Sequence, residues 1–255
     1  MNHSRFHLGT ALFFCAICLV TDRPAHAAII AEHSGATNPS TEGFVVPSGY
    51  DDGNGKPVYN DLGLGINAWN INGSWCCSGE AYELSSAQET ALTANDWVMT
   101  AYFRDLSTTC SGSFGPNSCG GGVTVGVGGL RFSIGLHSDG HGDQVLAPDP
   151  FAGSPTYTIK GLGMNYALFQ VAYDAATKTA NYYVNGKEVL TDIHGYTDYY
   201  ENQLFFGGQD SNFNLVELQS DTTLTSTPEP ATLALVGLGI LISAFFFRRR
   251  ARVSG

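Results

Sequence analysis

The stretch Tyr166-Ala167-Leu168-Phe169-Gln170-Val171-Ala172-Tyr173-Asp174-Ala175-Ala176-Thr177-Lys178-Thr179-Ala180-Asn181-Tyr182-Tyr183-Val184-Asn185-Gly186-Lys187-Glu188-Val189-Leu190 decides the fold. Side chains alternate across a strand, so a period of two marks one buried face. Ala167, Phe169, Val171 and Tyr173 fall on one face of a first strand. Asp174 to Lys178 make a turn, and Ala180, Tyr182 and Val184 line one face of a second strand. Asn185-Gly186 supplies the two left-handed positions of a tight hairpin turn into Lys187-Glu188-Val189. Three antiparallel strands in succession follow.

The same period continues outward. Leu130 to Leu136 places an apolar residue at each alternate position with a polar residue or glycine between, and Val123, Val125 and Val127 alternate with Thr124 and Gly126. Trp97, Met99, Ala101 and Phe103 share a face, with Thr100, Tyr102 and Arg104 on the other. A last strand is expected over Asn212 to Gln219. Residues 28–43 read as a loose lead-in, and no amphipathic helix of useful length is evident. Many short antiparallel strands over about 200 residues imply one all-β sandwich or barrel.

Both ends carry segments of another kind. His3, Arg5 and His7 precede an apolar run from Leu8 to Val20, 13 residues long and too short to span a bilayer. Ala25, His26 and Ala27 form a small-x-small cleavage site, so residues 1–27 read as a signal peptide and the mature chain starts at Ala28. Cys15 and Cys18 would leave with it. At the other end, Pro228-Glu229-Pro230 precedes an uncharged apolar run over residues 231–247, then Arg248, Arg249, Arg250 and Arg252. Its 17 residues sit at the short end of a transmembrane helix. The arginines resist translocation and act as a stop-transfer signal. The prolines keep the stretch before the membrane extended. A sandwich domain is therefore expected over 28–219, a Ser/Thr-rich linker over 220–227, and the tail over 228–252.

The order of motif, apolar helix and basic end over residues 227–252 resembles the PEP-CTERM sorting signal of Gram-negative bacteria. The resemblance implies export, transient anchoring in the inner membrane, and processing by an exosortase. It further implies release to the cell surface or extracellular matrix alongside exopolysaccharide. A second resemblance lies in Tyr173 to Gly186, with Leu204-Phe205-Phe206-Gly207-Gly208 and Asn212-Phe213-Asn214-Leu215-Val216. These look like the hairpin and closing strands of concanavalin A-like, laminin G-like jelly rolls. In that fold the N-terminal strands often return beside the C-terminal one. Fold alone implies no function.

The signals hide the charge of the exported part. Residues 28–227 hold 6 basic and 21 acidic side chains, a net of −15, against −11 for the whole chain. Such a domain does not bind nucleic acid by neutralising phosphate. Its four cysteines, Cys76, Cys77, Cys110 and Cys119, read as disulfides in an exported chain. A bond between the neighbours Cys76 and Cys77 is strained, and bridging each to Cys110 or Cys119 avoids that strain.

A retaining glucanase of this fold places Glu-x-Asp-x-x-Glu on one strand, so that its carboxylates share a face. No glutamate here has aspartate two residues on, and Glu80 and Glu83 are three apart, on opposite faces of a strand. A catalytic pair would have to be assembled across strands, for example from Asp105 and Glu217. Asp51, Asp52 and Asn54 could supply oxygen ligands to Ca²⁺. Trp75, Tyr82, Tyr196, Tyr199 and Tyr200 are candidates for stacking on sugar rings. His137-Ser138-Asp139-Gly140-His141-Gly142-Asp143 reads as a polar hairpin loop rather than a metal site. The expectation is a non-catalytic carbohydrate-binding or structural module, with a polysaccharide-degrading or modifying enzyme as the rival.

Overall fold

The computed structural model describes residues 28–73, 78–107, 120–148, 155–197 and 202–220. They form two antiparallel sheets packed face to face, a jelly-roll-like sandwich. The signal peptide, the sorting tail, all four cysteines, Trp75, Tyr199 and Tyr200 lie outside the described residues.

The larger sheet has eight strands. Its centre is β5 (Trp97–Asp105) against β14 (Ser211–Ser220). On one side follow β10 (Ala167–Asp174), β11 (Thr179–Val184) and β12 (Lys187–His194). On the other, β14 pairs with β1 (Ala28–Ser34) over its later half and with β3 (Ile66–Ile71) over its first residues, and β2 (Lys56–Asp61) closes the edge. The smaller sheet runs β4 (Gly79–Glu83), β13 (Gln203–Gly208), β6 (Gly121–Val127), β7 (Leu130–Ser138), β8 (Gln144–Ala147) and β9 (Tyr157–Ile159).

Alternation explains the core. Trp97, Met99, Ala101 and Phe103 are fully buried between the sheets, as are Phe169 and Val171 opposite them and Ile134 and Phe206 across the interface. Trp97 stacks on Tyr173 at 5.0 Å and meets Phe132 edge-on, which ties the two sheets together. At Asn214 the β14–β5 register shifts by one residue. This bulge keeps both Phe213 and Val216 in the core, since without it their odd spacing would put one outside.

Two regions differ from the sequence reading. Residues 28–34 are not a loose lead-in but β1, paired antiparallel with β14 from Ala28↔Ser220 to Ser34↔Leu215. Strand neighbourhood of the two termini is what the jelly-roll resemblance implied. A helix also exists, α1 (Ser86–Ala94), with Ser85 as N-cap. The Ser85 hydroxyl accepts from Gln88 N while Gln88 Oε1 accepts from Ser85 N, a reciprocal cap. Only Leu92 of the helix is buried, so it lies on the sandwich surface.

Candidate functional site

The outward face of the eight-stranded sheet carries a row of polar side chains in register. Cross-strand partners point to the same side. Glu188 pairs with Tyr183, Tyr183 with Gln170, Gln170 with Thr100, Thr100 with Glu217, and Glu217 with Glu32. The row crosses six strands, β12, β11, β10, β5, β14 and β1, about 24 Å at ordinary strand spacing. Tyr183 donates its hydroxyl to Glu188 Oε2 at 2.8 Å. Burial raises the Tyr183 pKa, and the Glu188 carboxylate raises it further. Gln219, two residues along β14, donates its amide to Glu217 Oε1.

Glu32 and Glu217 stand directly opposite each other, an arrangement that costs stability when both are charged. Burial, and then the Glu32 charge, push the Glu217 carboxyl above the usual carboxylate range. Asp105 is no partner for Glu217. It follows Arg104 on β5 and turns inward, 1% exposed, whereas Glu217 lies outward opposite Thr100.

Beside the row, a buried network anchors loops over the same face. Arg104, outward on β5, donates to Asp61 twice, from Nε at 2.8 Å and from Nη2 at 2.6 Å. Asp61 also accepts from Tyr166 Oη at 2.9 Å and Asn212 Nδ2 at 2.6 Å, and Asn212 Oδ1 accepts from Asn70 Nδ2 at 2.7 Å. Burial pushes the Asp61 carboxyl up, but the hydrogen bonds from Asn212 and Tyr166 and the Arg104 charge outweigh it and hold it low. Leu62 N donates to Asp61 Oδ1, and Arg104 Nη1 donates to the Met164 carbonyl. These bonds fix the β2–β3 hairpin and the loop before β10, whose Leu62, Leu64 and Met164 side chains are exposed. Tyr102 and Tyr166 pack ring to ring at 5.1 Å beside them.

The sequence candidates fall in several places. Tyr82 packs against Phe44 at 5.7 Å, inside the smaller sheet. Tyr196 lies outside that sheet, where Arg131 stacks over its ring at 5.0 Å and its hydroxyl bonds to Ser133. These two tyrosines therefore belong to different surfaces. Asp51 and Asp52 each use one carboxylate oxygen in their own turn, accepting from Gly53 N and Asn54 N. Asp51 also bridges to Ser78. Among the described residues no cluster of three or more His, Cys, Asp or Glu is placed to hold a metal. Residues 139–142 form the turn between β7 and β8. Asp139 accepts from His141 N, and Lys160 binds Asp143 at 2.6 Å. The sequence reading missed the polar row, because no strand shows more than one or two of its members.

Comparison with known proteins agrees at two levels. Residues 226–250 match the model of the PEP-CTERM protein-sorting motif. No curated protein matches the chain. Among solved structures, the fold is similar to a carbohydrate esterase of the Shiga toxin-encoding bacteriophage phi24B (TM-score 0.54, 8% identity). That match covers 77% of this chain and 100% of the other. A Trypanosoma rangeli sialidase aligns with a TM-score of 0.47 and 13% identity over 78% of this chain and 31% of its own. At these identities the likeness to the esterase concerns the fold alone. Among the described residues no helix is long and apolar enough to cross a membrane. The motif implies an extracellular protein sorted by an exosortase and anchored transiently in the membrane before processing. The chain thus carries a PEP-CTERM sorting motif at residues 226–250 behind an all-β jelly-roll sandwich.

Proposed function

We propose that this exosortase-sorted protein is a non-catalytic carbohydrate-binding module of the cell surface or extracellular matrix, and that the outward face of the eight-stranded sheet holds the polysaccharide. The registered row from Glu188 to Glu32 carries the reading. It offers hydroxyl, amide and carboxylate groups along one line, longer than a single sugar ring. Fixed strands preorganise the row, which lowers the entropy cost of binding an extended polymer. Tyr102, Tyr166 and Tyr183 supply ring surface on the same side. Exopolysaccharide of the producing cell is the expected ligand.

The test is binding of the purified domain to a polysaccharide array, with and without EDTA, for wild type, Gln170→Ala and Tyr183→Ala. Loss of roughly five- to tenfold in affinity for Gln170→Ala is expected, from the ~1 kcal/mol of one hydrogen bond. Unchanged binding by both variants would move the site elsewhere. An EDTA effect would bring Ca²⁺ at Asp51, Asp52 and Asn54 back into consideration.

The facing Glu32 and Glu217 favour a second reading, a polysaccharide-cleaving enzyme. Directly opposed residues have Cβ atoms about 4.5–5.5 Å apart, which permits the ~5–5.5 Å carboxyl separation of retaining glycosidases. Release of reducing ends that disappears in both Glu217→Gln and Glu32→Gln would replace the binding reading with this one.

A further inference from the structure

The two ends of the domain leave it at one point. Ala28, where the mature chain is expected to start, pairs with Ser220, the last residue of β14. The matched motif begins at residue 226, so only residues 221–225 lie between the folded sheet and the sorting signal. Six Cα steps span at most about 20 Å. β5 alone, alongside β14, is about 30 Å long at the ordinary rise per residue. While the processing enzyme holds the motif from residue 226 onward, the short tether therefore keeps one end of the sandwich near that enzyme and not the other.

The restrained end is well defined by register. Ser220 pairs with Trp97, and Trp97 with Tyr173, so the turn Asp174–Lys178 and the α1–β5 junction lie there. These segments are tied down. Asp96 Oδ1 accepts from Ala175 N at 2.9 Å, and Asp174 Oδ1 accepts from Ala176 N at 2.7 Å. Thr93 of α1 closes on Gly128 of the β6–β7 turn, where a Cβ would come within 2.9 Å of its hydroxyl. The turns at residues 51–55 and 139–143 belong to the opposite end, since β3 ends and β14 begins there with Ile71↔Ser211, and Gly120 abuts Asp105 and Leu136.

We propose that the surface formed by the Asp174–Lys178 turn, the α1–β5 junction and the β6–β7 turn docks on the membrane-embedded processing enzyme during tail removal. The sandwich then stands with its strands upright from the membrane. The partner is the exosortase itself, because it must take up the motif, which begins five residues beyond the end of the sheet. This docking is independent of what the outward sheet face binds.

The experiment places a photo-crosslinking amino acid singly at Ala176, Asn95, His141 or Asp52 in the full chain. Each variant is coexpressed with a catalytically inactive exosortase that holds the uncleaved precursor. All four side chains are exposed. Thr177 replaces Ala176 if that variant is not exported. Crosslinks to the enzyme at Ala176 and Asn95 are expected to exceed those at His141 and Asp52 at least fivefold. Equal yields at the two ends, enzyme crosslinks at neither end, or crosslinks to lipid alone would each overturn the proposal.

Discussion

Asp105 is the residue with the largest consequence for pH. Burial pushes its carboxyl up to about 7, against the hydrogen bonds from Ser107, and the Asp210 charge adds to the rise. The folded state thus holds a proton that the unfolded chain releases near 3.8. The stability linked to it is complete below that lower value and is lost as pH rises through about 7. His33 and His137 act in the opposite sense. Burial lowers both, outweighing Glu42 beside His33 and Asp139 beside His137, so their contribution is present above 6.5 and fades as pH falls. Below 6.5 the two effects oppose each other, and between about 6.5 and 7 only the loss linked to Asp105 remains. Asp105 should cost about 1.4 kcal/mol of stability per pH unit, a one-proton slope, between about 4 and 7 and nothing further above 7, and Asp105→Asn should abolish that slope. Denaturant melts of wild type and Asp105→Asn at pH 5, 6, 7 and 8 check this: the difference between the two should change from pH 5 to 7 and level off from 7 to 8, and a difference constant from 5 to 7 contradicts it. None of this was legible in the sequence. Asp105 there looks like any strand-end acid, and Arg104 gives no sign of Asp61, 43 positions away.

At the scale of strands, legibility followed from which faces are buried. β5, β6, β7, β10 and β11 alternate cleanly because one side meets the core and the other meets solvent or polar neighbours. β1 broke the rule. Its register slips between Ile29 and Ala31, so Ala28-Ile29-Ile30-Ala31-Glu32-His33 shows no clean period although Ala31 and His33 are buried. β2 is a mostly exposed edge strand and β4 is short, and neither offers an apolar row. The helix did have a signal, the Ser85-Ser86-Ala87-Gln88 capping box, which a search for hydrophobic period alone passes over. The β14 bulge yields the prediction for this scale. Deleting Asn214 removes the extra residue, so Phe213 and Val216 come to lie two apart and both stay inward with the β14–β5 register unchanged. The loss is confined to the bonds of Asn214 with the Asn67 carbonyl and Gly35 N, about 1 kcal/mol each, well inside the 5–15 kcal/mol by which a domain is stable. The variant should be soluble with native circular dichroism. The control Asn214→Gly keeps the bulge and should stay soluble. A deletion variant found only in degraded or insoluble fractions would contradict this account of the register.

For the molecule as a whole, the C-terminal sorting motif was the most legible part, since charge and hydropathy patterns need no tertiary contacts to be read. Glu229→Ala or Pro228→Ala is expected to block tail removal without stopping export, whereas neutralising Arg248, Arg249 and Arg250 together should impair retention and processing. Mass spectrometry of the mature C-terminus separates these outcomes from a plain membrane anchor, for which Glu229 is irrelevant. The cysteines give a further expectation. Gly208 N donates to Ser78 O, and Gln209 N donates to Gly120 O, so the described residues next to Cys77 and Cys119 are held beside consecutive residues of one strand end. Two bridges joining Cys76 and Cys77 to Cys110 and Cys119 are therefore expected, and peptide mapping without reduction identifies them. Two or more free thiols in the exported protein would contradict this. The pairing of Ala28 with Ser220 also has a mechanical meaning. Load entering through both ends at once would peel β1 from β14 one bond after another, at low force. Load entering through the C-terminal end alone, against polymer held on the sheet face, would pull β14 lengthwise past β5. Nine residue pairs would then resist together, so the domain transmits tension in its strongest direction while its tail end is the fixed point.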